Sequence, residues 1–143
     1  MSNAYSDRNR RELQHLRSVV GRLTDAQMSA PAGGPGWTVS GIVAHIAFWD
    51  QRALVLARRW TSGGTGSPPG DVDLLNDAMK PFLLAVPPRK AAELALDAAQ
   101  AIDKEIDSFG RELLSRVEAN GQPKLDRGAH RAHHLEQIEK ALQ

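Results

Sequence analysis

Three histidines in this chain have the placement that metal chemistry needs. His130 and His134 lie four residues apart near the C-terminus, and His45 lies nearer the middle in the apolar stretch Ile42-Val43-Ala44-His45-Ile46. On a helix four residues is close to one turn, so the pair shares a face and can hold one divalent ion. A third ligand from another helix would complete a site with an open position, where water or a substrate anion is stabilised in its charged form. The spacing therefore predicts a metalloenzyme. The chain has no cysteine, which removes disulfides, thiolate ligands and a protein thiol nucleophile. Any thiol chemistry must use a thiol brought from outside.

Other polar residues could serve such a site. Arg127, three residues before His130, shares its face, and its planar cationic fork suits a carboxylate or thiolate substrate; the competing reading is an ordinary surface arginine. Asn76 could donate to a substrate at the mouth. Asp50 could orient a histidine or act as a base, although five residues set it off the face of His45. Trp49 reads as core rather than as a substrate platform. His133, about 100° around the helix from His134, reads as solvent-facing, and His15 as structural.

These residues need helices to position them, and the hydrophobic periodicity supplies five. Leu13, Leu16, Val20 and Leu23 predict a first helix over 7–23. The turn-forming run at 29–37 ends in Trp37, and Thr38 is a natural N-cap for a second helix with the stripe Val39, Ile42, Ile46, Trp49 and Ala53, ending near Trp60. The Gly/Pro-rich stretch 61–70 reads as a crossing linker without the ending of a phosphate-binding loop. A short third helix over 71–84 is expected to kink or break at Pro81. A long fourth helix starts at Pro88, with a buried stripe of Leu94, Ala98, Ile102, Ile106, Phe109, Leu113 and Val117. Asn120, Gly121 and Pro123 close it, and a last helix over 126–142 carries His130, His134, Ile138 and Leu142. No strand pattern competes, so the expected fold is an all-α helix bundle forming one domain over residues 1–143.

Composition narrows the partners. With 18 basic and 17 acidic residues, there is no general charge attraction to nucleic acid or anionic membrane, and the run Arg8, Arg10, Arg11 reads as a solvated helix start. No stretch approaches the roughly 20 apolar residues of a membrane span. The opening Met1-Ser-Asn-Ala-Tyr-Ser-Asp lacks the basic-then-apolar pattern of a secretory leader, so the expected compartment is the cytoplasm. The partners expected are a small-molecule substrate and, for assembly, a second copy in a homodimer.

The segment Gly36-Trp37-Thr38-Val39-Ser40-Gly41-Ile42-Val43-Ala44-His45-Ile46-Ala47-Phe48-Trp49-Asp50 resembles the entry into the second helix of the DinB/YfiT-like superfamily. The segment Gly128-Ala129-His130-Arg131-Ala132-His133-His134-Leu135-Glu136-Gln137-Ile138 is similar to its closing His-x-x-x-His helix. Asp71-Val72-Asp73-Leu74-Leu75-Asn76 is similar to the Asp-x-x-Asn opening of its short third helix. The resemblance runs from about residue 7 to 142 and implies a four-helix bundle with an additional short helix. It also implies a divalent metal, commonly zinc or nickel, on three histidines that fall on His45, His130 and His134. Relatives of this kind include thiol-dependent S-transferases and the N-terminal domain of mycothiol-dependent maleylpyruvate isomerase. The resemblance thus implies S-transfer or an isomerase-like reaction with mycothiol or another low-molecular-weight thiol. A metal-dependent hydrolase would use the same ligands, and a non-enzymatic, stress-related binding module is the alternative of another class. The residues do not separate transfer from hydrolysis, while three protein ligands rather than four favour an open, reactive site over the binding module.

Overall fold

The computed structural model describes residues 2–68 and 70–143, and the regular elements among them are helices. In chain order they are α1 (Ser6–Arg22), α2 (Asp25–Met28), α3 (Val39–Thr61), α4 (Val72–Ala85), α5 (Pro88–Asp107), α6 (Arg111–Asn120) and α7 (Arg127–Ala141). The helices α1, α3, α5 and α7 close a four-helix bundle in which α1 and α3 each pack against both α5 and α7. The short helices α2, α4 and α6 lie against α3. No helix among the described residues is long and apolar enough to cross a membrane.

Several local features differ from the sequence expectation. The turn α2 was not foreseen, although its signal is present: Thr24 and Gln27 form a reciprocal capping box, with the Gln27 amide donating to Thr24 Oγ1 at 3.1 Å and the Thr24 amide to Gln27 Oε1 at 3.0 Å. Pro81 does not break α4, which runs through it to Ala85. Pro81 and Asp77 are both exposed, so water can serve the carbonyl that proline leaves unpaired. The long fourth helix is two helices. The chain leaves α5 at Ser108, and Gly110, the poorest ordinary helix former, takes an extended conformation as the N-cap of α6. The apolar stripe survives the break, since Ala98, Ile102, Ile106, Phe109 and Val117 are all buried. Its first member does not: Leu94 is 42 % exposed, and Ala91, Ala92, Ala95 and Ala99 face the core in its place. These small side chains let α5 lie close to its neighbours. Leu113 is half-buried.

The core has two apolar layers. One gathers Leu13, Leu16, Val43, Ile46, Ala99, Leu135 and Ile138; the other gathers Ala53, Leu54, Trp60, Ile102, Ile106, Phe109 and Leu125. Between them, buried Asn9, Asp50, Asp103 and Arg131 project from α1, α3, α5 and α7. Gly128 permits a close crossing at this level: a Cβ there would meet the Arg8 carbonyl oxygen at 2.7 Å, so its absence lets α7 lie against α1. That crossing helps set where the histidines of α7 arrive.

Candidate metal centre

His45 comes from the second turn of α3, whose start is set by Thr38 Oγ1 accepting the Gly41 amide at 3.0 Å. His130 and His134 come from the first half of α7, whose start is set by Asp126 Oδ1 accepting the Ala129 amide at 3.0 Å. The three imidazoles converge. One ring nitrogen from each lies within 4.8 Å of the others, and no other group of three or more potential ligands occurs among the described residues. Ring centroids are 4.6 Å apart for His45–His134 and His130–His134, and 5.5 Å for His45–His130.

Electrostatics keep these rings neutral. Burial lowers the pKa of His45 to about 4, with help from His134 and His133. Burial, then the nearby Arg127 and the other histidines, lowers that of His130 to about 2. Burial also lowers His134, against an opposing hydrogen bond to Gln137. Neutral imidazole is the form that ligates a cation. Gln137 Oε1 lies 2.8 Å from His134 Nδ1; an amide oxygen only accepts, so Nδ1 carries the proton and Nε2 keeps its lone pair. His130 Nδ1 is buried without a hydrogen-bond partner, a costly state for a polar atom, and an ion held on that nitrogen would relieve it. The donor set therefore fits a divalent metal.

Beside the histidines lies a second polar cluster that the sequence reading missed. Arg131 is wholly buried, donating Nε to Asp50 Oδ2 at 2.8 Å, both terminal nitrogens to Asp103 at 2.7 and 3.0 Å, and further bonds to the carbonyls of Asn9 and Ala99. Burial opposes its charge, but Asp50 and Asp103 override that and raise its pKa. Asn9 clamps the entry to α7, accepting the Gly128 amide at 2.8 Å and donating to the Leu125 carbonyl at 3.0 Å. A signal existed in the sequence: Asp50 is spaced four residues from Ile46, Asp103 four from Ala99, and Arg131 four from Leu135, so each charge interrupts an apolar stripe.

Three expectations are corrected here. Asp50 neither orients a histidine nor stands free as a base, because its oxygens accept from Arg127 Nε and Arg131 Nε, each at 2.8 Å. Arg127 is no surface arginine: it is buried and tied to Asp50, yet it still lines the cavity beside the histidines, with Nη2 unpartnered. Trp49 is half-buried and forms cavity wall rather than core, its Nε1 donating to Asn76 Oδ1 at 3.0 Å. Asn76 lines both cavities and holds Trp49 through that bond. His133 is exposed, with its ring 4.9 Å from that of His134. His15 bridges Glu12 and Glu139 far from the site.

Two cavities open on the histidines and share His45, His134 and Asn76. The smaller, about 300 Å³, is walled by Gly33, Gly34, Trp37, Ile42, Asp77 and Gln137. The larger, about 420 Å³, adds His130 and His133 and is walled by Trp49, Arg52, Lys124 and Arg127. A hollow of about 710 Å³ elsewhere, between α1 and α5 and lined by Ser6, Arg10, Asp103 and Asp107, is open and has no comparable convergence of ligands. The arrangement can hold one cation on three neutral nitrogens and admit a small molecule from either side.

No curated protein and no solved structure matches the chain. A family model does, the mycothiol maleylpyruvate isomerase N-terminal domain, over residues 9–134. That span begins at the asparagine that clamps α7 and ends at the last histidine of the cluster. With most of its length matched, the chain belongs to the family of the mycothiol maleylpyruvate isomerase N-terminal domain, a DinB/YfiT-like helical bundle.

Proposed function

We propose that this chain is a metal-dependent enzyme that transfers to or from a low-molecular-weight thiol, with mycothiol the first candidate given the family to which it belongs. One observation carries the reading: three neutral imidazoles, with no fourth histidine, cysteine or carboxylate joining them among the described residues, meet where two cavities open. Structural zinc sites close with four protein ligands, whereas reactive ones keep a position free. His45, His130 and His134 would hold the metal, zinc or nickel. When bound, a divalent cation on neutral ligands supplies positive charge that lowers the pKa of a thiol at the free position.

The chain's own residues do the rest. Gln137 fixes the tautomer of His134, and Arg131 pins α7 so that both its histidines keep their height. His133, exposed on the larger cavity, is an imidazole placed to accept the thiol proton. The sulfur then attacks an electrophilic carbon, forming the S–C bond as the leaving group departs with its electron pair. The capture of Asp50 by two arginines removes one carboxylate that could activate water.

The test is calorimetric titration of the zinc- or nickel-loaded protein with mycothiol, bacillithiol and glutathione, with the His134→Ala protein as control. Saturable binding of at least one thiol, lost in the variant, is expected. No binding at millimolar concentration, or equal binding by the variant, would replace thiol transfer with hydrolysis or a non-catalytic role.

A further inference from the structure

The two cavities that meet at the histidines differ in charge. The wall of the larger carries Arg52, Lys124 and Arg127 and no carboxylate; the smaller has no arginine or lysine and one aspartate, Asp77. Behind the larger wall, Arg127 and Arg131 are matched by Asp50 and Asp103, so that cluster is neutral by itself. Arg52 and Lys124 have no carboxylate within 4.0 Å among the described residues, and both line the cavity.

Two of its three cations are held in place, and Lys124 is exposed. Arg52 is held by Gln122 Oε1 at 3.3 Å and the Ser67 carbonyl at 3.0 Å, with its guanidinium carbon 5.6 Å from the Trp49 ring centroid. Trp49 is fixed in turn by Asn76. Arg127 spends Nε on Asp50, while its Nη2 is buried without an acceptor. A structural ion pair gives no reason for that unmet donor, which costs stability until an acceptor arrives. Burial, and then the nearby charge of Arg127, lower the pKa of Arg52.

We propose that the larger cavity is an anion subsite, taking a substrate with a carboxylate or phosphate group whose oxygens sit among Arg52, Lys124 and Arg127 while the rest reaches the three histidines. It names the substrate class for the reaction centre proposed above and rests on that reading for the word substrate alone, because the anion is held by residues outside the histidine set. Planar guanidinium forks match the paired oxygens of either group.

Metal-free protein, dialysed clear of chelator, tests the subsite separately from the metal. It is titrated by calorimetry and amide-resonance shifts with succinate, inorganic phosphate and uncharged succinamide. Saturable binding of succinate or phosphate is expected, weakening with added salt, with succinamide silent. Arg52→Gln/Lys124→Gln should weaken the bound anion about tenfold or more, and Arg127→Lys, which keeps the charge and loses the fork, several-fold. Lys124→Gln alone, at an exposed position, covers the case in which the double variant folds poorly. Absence of binding by both anions, equal binding of succinamide, or unchanged affinity in the variants would overturn the proposal. Zinc titration of the same proteins keeps the readings apart: zinc bound without anion binding removes the subsite alone, and anion binding without zinc removes the metal centre alone.

Discussion

Two neighbouring rows of α7 carry polar residues into the bundle and treat them in opposite ways. Along one row, Arg131 lies between Gly128 and Leu135 and makes five hydrogen bonds to Asp50, Asp103 and two carbonyls. Those match the five donors a guanidinium has. Along the next row, His130 keeps a buried nitrogen with no partner and Arg127 keeps an unmet Nη2. A closed network spends its polar groups on holding helices together; an open one keeps lone pairs and donors for something that arrives later. Polarity in a core therefore does not mark a site until its hydrogen bonds have been counted.

The comparison is broken most severely at Arg131. Arg131→Met would leave Asp50 tied only to Arg127 and Asp103 without its partner, both buried, and should destabilise the fold by about 3–5 kcal/mol. Urea denaturation measures it, and a loss below about 1 kcal/mol would show that the layer is not structural. The apolar layer next to it sets the scale. Ile102, wholly buried, should cost about 2–5 kcal/mol as Ile102→Ala.

Much of this was legible in the sequence because helical periodicity and metal spacing are local signals. His130 and His134 announce a shared face by their separation alone, and the bundle follows from stripes that must bury each other. What was not legible depends on partners distant in sequence. Asp50 reads as a free carboxylate until Arg127 and Arg131, some eighty residues on, are seen to claim both its oxygens. Leu94 fits the period of its stripe, yet α5 is rotated so that its alanines pack, because close approach of helices favours small side chains over one more leucine. The break at Gly110 was hidden by a stripe that continues through it.

On the open side, His134→Ala should abolish stoichiometric zinc or nickel binding while changing stability by under about 1 kcal/mol, because the apolar layers stand without metal. Metal analysis paired with circular dichroism and denaturation decides this. Retained metal would show that the cluster does not need its third nitrogen. Unfolding would mean that the two rows do not divide structure from function.

The smallest effect belongs to a polar contact at the surface, where solvent weakens both kinds of network. His15 on α1 places Nδ1 2.9 Å from Glu12 and Nε2 2.7 Å from Glu139 of α7. Burial opposes its protonation, but the hydrogen bonds and charges of the two carboxylates together override it, so its pKa is raised above the usual histidine value. A raised pKa in the folded state means that folding takes up protons, so the stabilisation is fully present below about pH 6.5, the unfolded value. It is lost as pH climbs through the higher folded value. With 35 % of the His15 side chain and 39 % of that of Glu139 exposed, screening holds the contribution within about 1 kcal/mol. The denaturation midpoint of the parent should therefore exceed that of His15→Gln by more at pH 5.5 than at pH 8.5, and added salt should shrink the gap. A difference independent of pH would show that the bridge acts through packing between α1 and α7 rather than through charge, and a gap as large as that of Arg131→Met would erase the distinction between closed buried networks and solvated ones.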